Sequence, residues 1–184
     1  MTAEAAPRQK TIALVGLMGA GKTSVGRRLA QALGLPFRDA DEEVERAAGR
    51  SVSDIFAELG EPAFRAGERR VIARLLDDPP HVLATGGGAF MNEDTRALIA
   101  SKAISVWLKA DVEVLAARVG RKNDRPLLQG RDPVTALREL AATRYPVYAL
   151  ADITVDSIET PHSATVNAIL AALRARAPSE DAAS

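Results

Sequence analysis

The sequence predicts an α/β fold, a five-stranded parallel sheet with helices on both faces. Short apolar runs alternate with segments of helical periodicity, and a glycine-rich turn joins the first run to the first helical segment. This alternation indicates successive strand–helix–strand units, because parallel strands need crossover connections. Strands are predicted at residues 11–15, 36–38, 82–84, 104–108 and 153–155. Helices are predicted at residues 24–33, 62–76, 92–101, 111–118, 134–150 and 163–175.

The turn after the first predicted strand carries a phosphate-binding pattern. Residues 16–23 read GLMGAGKT, a complete G-x-x-x-x-G-K-[ST] loop. Its backbone N–H groups converge at the positive end of the next helix dipole, which stabilises an anion. The Lys22 ammonium can reach the β- and γ-phosphates, and the Thr23 hydroxyl can reach Mg²⁺. The pattern predicts a nucleoside triphosphate site formed by Gly19, Ala20, Gly21, Lys22, Thr23 and Ser24.

Two excursions interrupt the alternation of strands and helices. Residues 39–80 are far more than one crossover needs, and we expect short helices there that end at Gly49 and Gly60. Residues 120–133 are rich in Arg, Lys, Gly and Asp and link two predicted helices. Ligands of open α/β sheets bind beyond the carboxyl ends of the strands, and both excursions can reach that edge.

Two carboxylates, Asp39 and Asp41, follow the second predicted strand. In an extended segment, residues two apart point to the same side. One carboxylate could then hold Mg²⁺ while the other orients or deprotonates an acceptor hydroxyl. The alternative is that Asp41 simply caps the next helix. Ala84 and Thr85 lie where a metal-binding aspartate often follows the third strand, which favours Asp39 as the metal residue.

A second charged pair lies on the predicted helix 62–76. Glu68 falls on its apolar stripe, so the charge needs a partner, and Arg65 can supply one. The pair is either a plain ion pair within the helix or a means of pointing a guanidinium at an anionic substrate. After the third strand, Gly86, Gly87 and Gly88 either let the backbone approach a ligand closely or form a tight turn.

Basic residues are concentrated around the second excursion, at Arg118, Arg121, Lys122, Arg125 and Arg131. Such a segment is either a solvated charged loop or a lid whose arginines close over a γ-phosphoryl group. Arg144 lies farther along, in the predicted helix 134–150, and its spacing alone indicates nothing.

Composition limits the possible partners. Lys plus Arg and Asp plus Glu both total 24, which argues against nucleic-acid binding by bulk charge. Cysteine is absent, which excludes disulfides and cysteine-ligated zinc. The sequence has neither a membrane-spanning apolar run nor the apolar stretch of a secretory signal. We expect one cytoplasmic domain over residues 1–184, monomeric, without nucleic-acid or membrane partners, and with a disordered tail at about 175–184.

These motifs together resemble shikimate kinase. The resemblance extends from Lys10 to about Leu173. The family pattern appears in order as GLMGAGKT, DADEEVE, GRSVSDIF, GEPAFRAGE, TGGGA, RPLL, RYPVY and the VD that ends at Asp156. The phosphate loop is shared by many nucleotide enzymes, whereas the D-x-D, F-R-x-x-E, G-G-G and R-P-L-L motifs are more specific as a set.

The resemblance implies a role for each candidate residue. Lys22 would bind the phosphates, and Thr23 and Asp39 would hold Mg²⁺. Asp41 would contact the ring hydroxyls of shikimate as a base or orienting group. Carboxylate binding is implied for Arg65 and Arg144, with Glu68, Gly86, Gly87 and Gly88 around the substrate.

The resemblance extends to the nucleotide side. Arg125 would be the lid arginine at the phosphates, and together with Lys22 and Asp41 it would form the catalytic set. Arg118 would stack near adenine, with Pro161 on the other side of the ring.

The implied reaction is the transfer of phosphate from ATP to shikimate, giving shikimate 3-phosphate and ADP on the route to aromatic amino acids. The implied fold is that of the nucleoside monophosphate kinases, with a substrate-binding segment at about residues 39–68 and a lid at about 120–133. Two rival interpretations are another small-molecule kinase of this architecture, such as a gluconate or nucleoside monophosphate kinase, and a nonenzymatic sensor.

Overall fold

The computed structural model describes residues 9–119, 128, 130–157 and 161–176. Their five strands form one parallel sheet in the order β2-β3-β1-β4-β5. The strands are β1 (Thr11–Val15), β2 (Phe37–Asp39), β3 (Val82–Ala84), β4 (Ala103–Lys109) and β5 (Ile153–Asp156). This arrangement confirms the predicted fold class. The first strand is fully buried at the centre, as expected for a parallel strand covered on both faces.

Eight helices of the described residues cover and extend this sheet, together with a short 3-10 turn at Ala89–Met91. The helices that match predicted segments are α1 (Lys22–Leu33), α4 (Glu61–Asp77), α5 (Glu93–Lys102), α6 (Val112–Val119), α7 (Pro133–Tyr148) and α8 (His162–Arg176). The first excursion contains α2 (Ala40–Ala48) and α3 (Val52–Leu59). In the described part of the chain, no helix has the length and apolar character needed to cross a membrane.

The short helices of the first excursion end where the sequence predicts. Gly49 closes α2 in the left-handed conformation, and its N–H donates to the Glu45 carbonyl. Gly60 also follows its helix, but its φ of 82° and ψ of 167° lie outside the left-handed helical region. Because Gly60 also precedes α4 directly, one residue both ends α3 and redirects the chain. The compact α2–α3–α4 arrangement therefore begins at the carboxyl end of β2.

Most of the predicted lid and most of the predicted tail lie outside the described residues. Residues 120–127 and 129 of the expected lid, including Arg121, Lys122 and Arg125, lie outside the described residues. The same holds for residues 177–184 of the expected tail.

Candidate active site

The phosphate loop lies between the carboxyl end of β1 and the start of α1. Gly21 immediately precedes α1, and Lys22 is the first residue of the helix. Lys22 Nζ donates to the carbonyl oxygens of Gly16 at 2.7 Å and Leu17 at 3.0 Å. The ammonium is thus held over the loop, beside the helix N-terminus where phosphate oxygens are favoured.

The acidic pair adopts a different geometry from the expected one. Asp39 Oδ1 accepts from the backbone N–H groups of Asp41 at 3.0 Å and Glu42 at 3.3 Å. Asp39 is therefore the N-cap of α2, which excludes the alternative that Asp41 caps this helix. The prediction that Asp39 and Asp41 lie in one extended segment is also wrong, because α2 begins directly after the strand and Asp41 lies in its first turn. Both carboxylates still line the cavity above the phosphate loop.

Asp39 also faces α1. Its Oδ2 atom accepts a hydrogen bond of 2.9 Å from Thr23 Oγ1. One carboxylate thus fixes the start of α2 and contacts the hydroxyl of the phosphate loop. This contact brings together the two side chains that the sequence assigns to a metal.

Arg65 and Glu68 form the predicted ion pair on α4. Arg65 Nη1 donates to Glu68 Oε1 at 3.0 Å, and Glu68 is only 2% exposed. Arg65 Nη2 also lies 3.3 Å from Glu61 Oε1. The guanidinium is thus held by Glu61 and Glu68 and remains partly exposed to solvent.

One atom of this pair and one atom of Arg144 are buried polar atoms without a hydrogen-bond partner in the described part of the chain. Within the described residues, Arg144 Nη1 and Glu68 Oε2 are buried without a hydrogen bond. Buried polar groups are normally satisfied, and a polar ligand or an ordered water in the adjacent cavity would satisfy these two. Both side chains line one cavity of about 390 Å³, along with Arg65 and Phe56.

The three glycines after β3 lie against these charged side chains. A Cβ on Gly86 would stand 2.7 Å from Glu68 Oε2 and 2.9 Å from Asp41 Oδ1. A Cβ on Gly87 would stand 3.2 Å from Arg144 Nη1. The Tyr148 hydroxyl donates to the Gly87 carbonyl and so holds the loop from behind. The backbone therefore approaches the side chains that surround the cavity.

Gly88→Ala is expected to displace Arg65 and raise the KM for an anionic acceptor in this cavity by about tenfold, the loss of roughly one charge-assisted hydrogen bond. A Cβ there would stand 2.5 Å from Arg65 Cζ. The φ of −95° at Gly88 is open to alanine, so backbone strain plays no part. Steady-state kinetics with the KM for ATP as internal control measure the effect. An unchanged KM for the acceptor would show that Arg65 has another position in solution.

The cavity above the phosphate loop, about 360 Å³, meets the Arg65 cavity directly. Residues that line both are Met18, Thr23, Asp39, Asp41, Gly86 and Gly87. The junction therefore lies between the phosphate loop, the start of α2 and the glycine loop. A phosphoryl donor in one cavity and an acceptor in the other would meet beside Asp41.

The matching family model, shikimate kinase, covers residues 18–174. The chain belongs to the shikimate kinase family. The shikimate kinase of Caulobacter vibrioides (strain NA1000 / CB15N) is 73% identical over 167 residues, which are 91% of this chain and 84% of the relative. That of Bradyrhizobium diazoefficiens is 55% identical over 174 residues, covering 95% of this chain and 84% of the relative.

Solved structures of shikimate kinases share the fold. The enzyme from Acinetobacter baumannii, in complex with shikimate, superposes with a TM-score of 0.89 at 38% identity, covering 92% of this chain and 96% of that one. The enzyme from Aquifex aeolicus gives 0.81 at 35% identity, covering 91% and 98%. A gluconokinase from Sinorhizobium meliloti, 23% identical with a TM-score of 0.61 and coverage of 92% and 94%, shares the fold alone.

Sequence reasoning missed several residues that line the two cavities. His162, the first residue of α8, lies beside Gly21 and Arg118 in the cavity above the phosphate loop. Burial and the nearby Arg28 and Arg118 lower its pKa below the usual 6.5. Arg118 Nη1 donates to the Gly19 carbonyl at 3.0 Å, which holds it against the loop.

One predicted role, that of Pro161, has no counterpart among the residues that line these cavities. Pro161 is exposed immediately before α8 and is not among the residues that line the cavity above the loop. Phe56 on α3 lines the Arg65 cavity, yet its sequence context marked it only as part of a short helix. The role of Pro161 at adenine stays a prediction.

Glu68→Gln is expected to raise the Tm at pH 7. Burial raises the pKa of the Glu68 carboxyl above its usual 4.5, although Arg65 acts in the opposite direction. The folded state then binds the proton more tightly, so stability falls as the pH rises through the window that begins near 4.5. Thermal melts at pH 7 and near pH 5 should show a difference that shrinks at the lower pH. Glu61→Gln, at an exposed partner of Arg65, is the control, and a lower Tm for Glu68→Gln at both pH values would contradict the expectation.

Proposed function

We propose that this chain transfers the γ-phosphoryl group of ATP to the 3-hydroxyl of shikimate, giving shikimate 3-phosphate and ADP. The observation that carries the proposal is the junction of two cavities at Asp41. One cavity ends in a phosphate loop and the other in two guanidinium groups. Membership of the shikimate kinase family supports the same reaction.

The acceptor cavity suits a small hydroxy acid. Shikimate has one carboxylate and three ring hydroxyls, so it needs cations at one end and acceptors of hydrogen bonds at the other. The guanidinium groups of Arg65 and Arg144 provide the first, and charge-assisted bonds of this type are strong. The unpartnered Arg144 Nη1 supplies a donor that a carboxylate would satisfy.

Asp41 is the proposed base or orienting group for the attacking hydroxyl. It lines both cavities and lies against Gly86, where a side chain would collide with it. Phosphoryl transfer depends mainly on positioning and charge stabilisation, so a carboxylate that aligns the hydroxyl is sufficient.

Thr23 and Asp39 are the proposed Mg²⁺ residues. Their 2.9 Å contact puts a hydroxyl and a carboxylate side by side at the phosphate loop, which suits a hard cation. No cluster of three or more potential metal-binding side chains occurs among the residues with described positions. The donor set still fits, because Mg²⁺ usually takes one or two protein ligands plus phosphates and water. When bound, the ion would neutralise charge on the phosphates.

The remaining residues act on the triphosphate. Lys22 at the start of α1 would offset the charge that develops on the transferred group, together with the N–H groups of the loop. Arg118, held at Gly19, would flank the nucleoside. We further propose that the protein acts in the cytoplasm as a monomer, without nucleic-acid or membrane partners.

Arg125→Ala is expected to lower kcat more than it raises either KM. The segment around it resembles the family lid, and an arginine at the γ-phosphoryl gains strength as charge develops in the transition state. Steady-state kinetics of both substrates provide the test, with Arg131→Ala as the control from the same predicted segment. A full kcat in the Arg125 variant would exclude this role.

An ADP-release assay with shikimate, gluconate, AMP and water as acceptors tests the function as a whole. We expect release with shikimate only. Release with gluconate alone would assign the chain to the other small-molecule kinases of this fold, and equal release with every acceptor would indicate a simple ATPase.

A further inference from the structure

A groove between α2, α3 and α4 lies apart from the two cavities of the proposed reaction. It is an open groove of about 600 Å³, a volume within the range of small-molecule sites. On α4 it is lined by Ala63, Gly67, Arg70 and Arg74, whose spacings of three and four residues define one face of the helix. None of these four lines the substrate cavity, and Phe64 is the one residue that lines both.

The walls of the groove are apolar. They are formed by Leu59 together with Val44, Ile55, Phe64 and Val71, four buried side chains that present only a small part of their surface to the groove. Leu59 is 59% exposed, and among the residues described here only Leu150 is a comparably exposed large hydrophobic side chain. An exposed apolar wall in a concave site favours an apolar ligand surface.

Gly67 leaves the floor of the groove open. It lies in the interior of the 17-residue helix α4, where glycine is less favourable than alanine. The only atom that an added Cβ would approach is Arg70 Nη2, at 4.0 Å. No packed neighbour therefore requires glycine here. Because Gly67 has no side chain, the space above it is unfilled, and the Arg70 guanidinium lies next to that space.

The rim of the groove carries excess positive charge. Arg50, Arg70 and Arg74 line it, and no carboxylate does among the described residues. Arg50 pairs with Glu58, and Arg74 lies 3.4 Å from Glu43 outside the groove. Arg70 has no ion pair or hydrogen bond with any other described residue. Arg70, which lies next to Gly67, is therefore the arginine of this groove that is available to a ligand.

We propose that this groove binds a small organic anion that has an apolar, ring-sized body and one carboxylate. The body would cover Gly67 and contact Leu59 and Phe64, and the carboxylate would pair with Arg70. A guanidinium binds a carboxylate through two parallel hydrogen bonds, which gives selectivity for the anion over a neutral molecule of the same shape.

Occupancy of the groove is coupled to the substrate cavity through Phe64. Its ring lies 4.8 Å from that of Phe56, and the Arg65 guanidinium lies 5.2 Å from its centroid. A ligand that presses on Phe64 would therefore change the KM for shikimate and leave the KM for ATP unchanged. This coupling rests on the proposed function, whereas binding in the groove does not.

The test uses phenylacetate and its neutral isostere phenylacetamide, with binding followed by amide chemical shifts of the full chain. We expect phenylacetate to shift residues of α2, α3 and α4, and phenylacetamide to bind about tenfold more weakly. Gly67→Leu fills the floor and should abolish binding while the Tm is kept or raised. Arg70→Gln should weaken phenylacetate to the level of the amide, and Arg69→Gln, at the exposed neighbour outside the groove, should bind as the unmodified chain does.

Unchanged phenylacetate binding in Gly67→Leu, or equal binding of acid and amide, would overturn the proposal. So would a concentration-dependent dimer that Gly67→Leu dissociates, since the groove would then hold a second copy of the chain. These readouts require no kinase activity, so they stand even if shikimate is not phosphorylated. An unchanged KM for shikimate at saturating phenylacetate would remove only the coupling.

Discussion

Asp41→Asn is expected to leave ATP binding nearly normal while it lowers phosphoryl transfer by roughly 10²–10⁴, the usual contribution of a positioned acid–base group. The substitution keeps the size of the side chain and removes its charge. Asp41 lies where the two cavities join, so its carboxylate is the group that a substrate hydroxyl would meet next to the phosphate loop.

The fold should tolerate this change. The cap of α2 uses the backbone N–H of Asp41 and the side chain of Asp39, and neither is altered. Single-turnover kinetics would measure transfer, and calorimetry with ADP would measure nucleotide binding. Asp54→Asn, at the exposed start of α3, is the matched control and should retain its rate. Turnover within a few-fold of normal in Asp41→Asn would remove Asp41 from the chemistry.

Local patterns were sufficient to predict the sheet and the phosphate loop. The strands β1, β3 and β4 are short, mostly apolar runs, and each helix carries its own periodicity, so these elements depend little on distant residues. The same holds for Arg65 and Glu68, whose three-residue spacing makes their contact a property of one helix.

The geometry of Asp39 and Asp41 could not be obtained in this way. The sequence indicated carboxylates after a strand but not that α2 begins at once, and the cap at Asp39 decides where Asp41 points. His162 was missed for another reason. Its place beside Gly21 depends on α8 packing against α1, a contact between distant segments that no local motif encodes.

The glycine triplet shows what tertiary contacts add to a motif that the sequence leaves open. The sequence left open a tight turn or a close approach of the backbone to a ligand. In the structure, Gly86 and Gly87 each adjoin a charged side chain that came from another helix. The triplet therefore makes room for the groups that would hold the substrate, a role that depends on α2, α4 and α7 together.

Arg65→Ala and Arg144→Ala are each expected to weaken shikimate binding by roughly tenfold to a few hundredfold, with little change for ATP, because charge-assisted hydrogen bonds contribute about 1.5–3 kcal/mol. Arg144 is only 7% exposed, and its Nη1 atom has no partner among the described residues. Arg65 is partly exposed and already pairs with Glu68. One substrate carboxylate would contact both arginines. The variant Arg65→Ala/Arg144→Ala should therefore lose less binding free energy than the sum of the two single losses.

Removal of Arg65 also leaves Glu68 buried without its partner, so the binding loss needs separation from a folding defect. The double variant Arg65→Ala/Glu68→Gln removes that charge and should still bind shikimate weakly. The methyl ester of shikimate, which lacks the anionic charge, should bind the original chain and each arginine variant alike. Calorimetry would decide the question. Equal losses of affinity for ATP and shikimate would indicate altered folding. If the arginine substitutions weaken binding of the ester as much as binding of the acid, the two guanidinium groups do not bind the carboxylate.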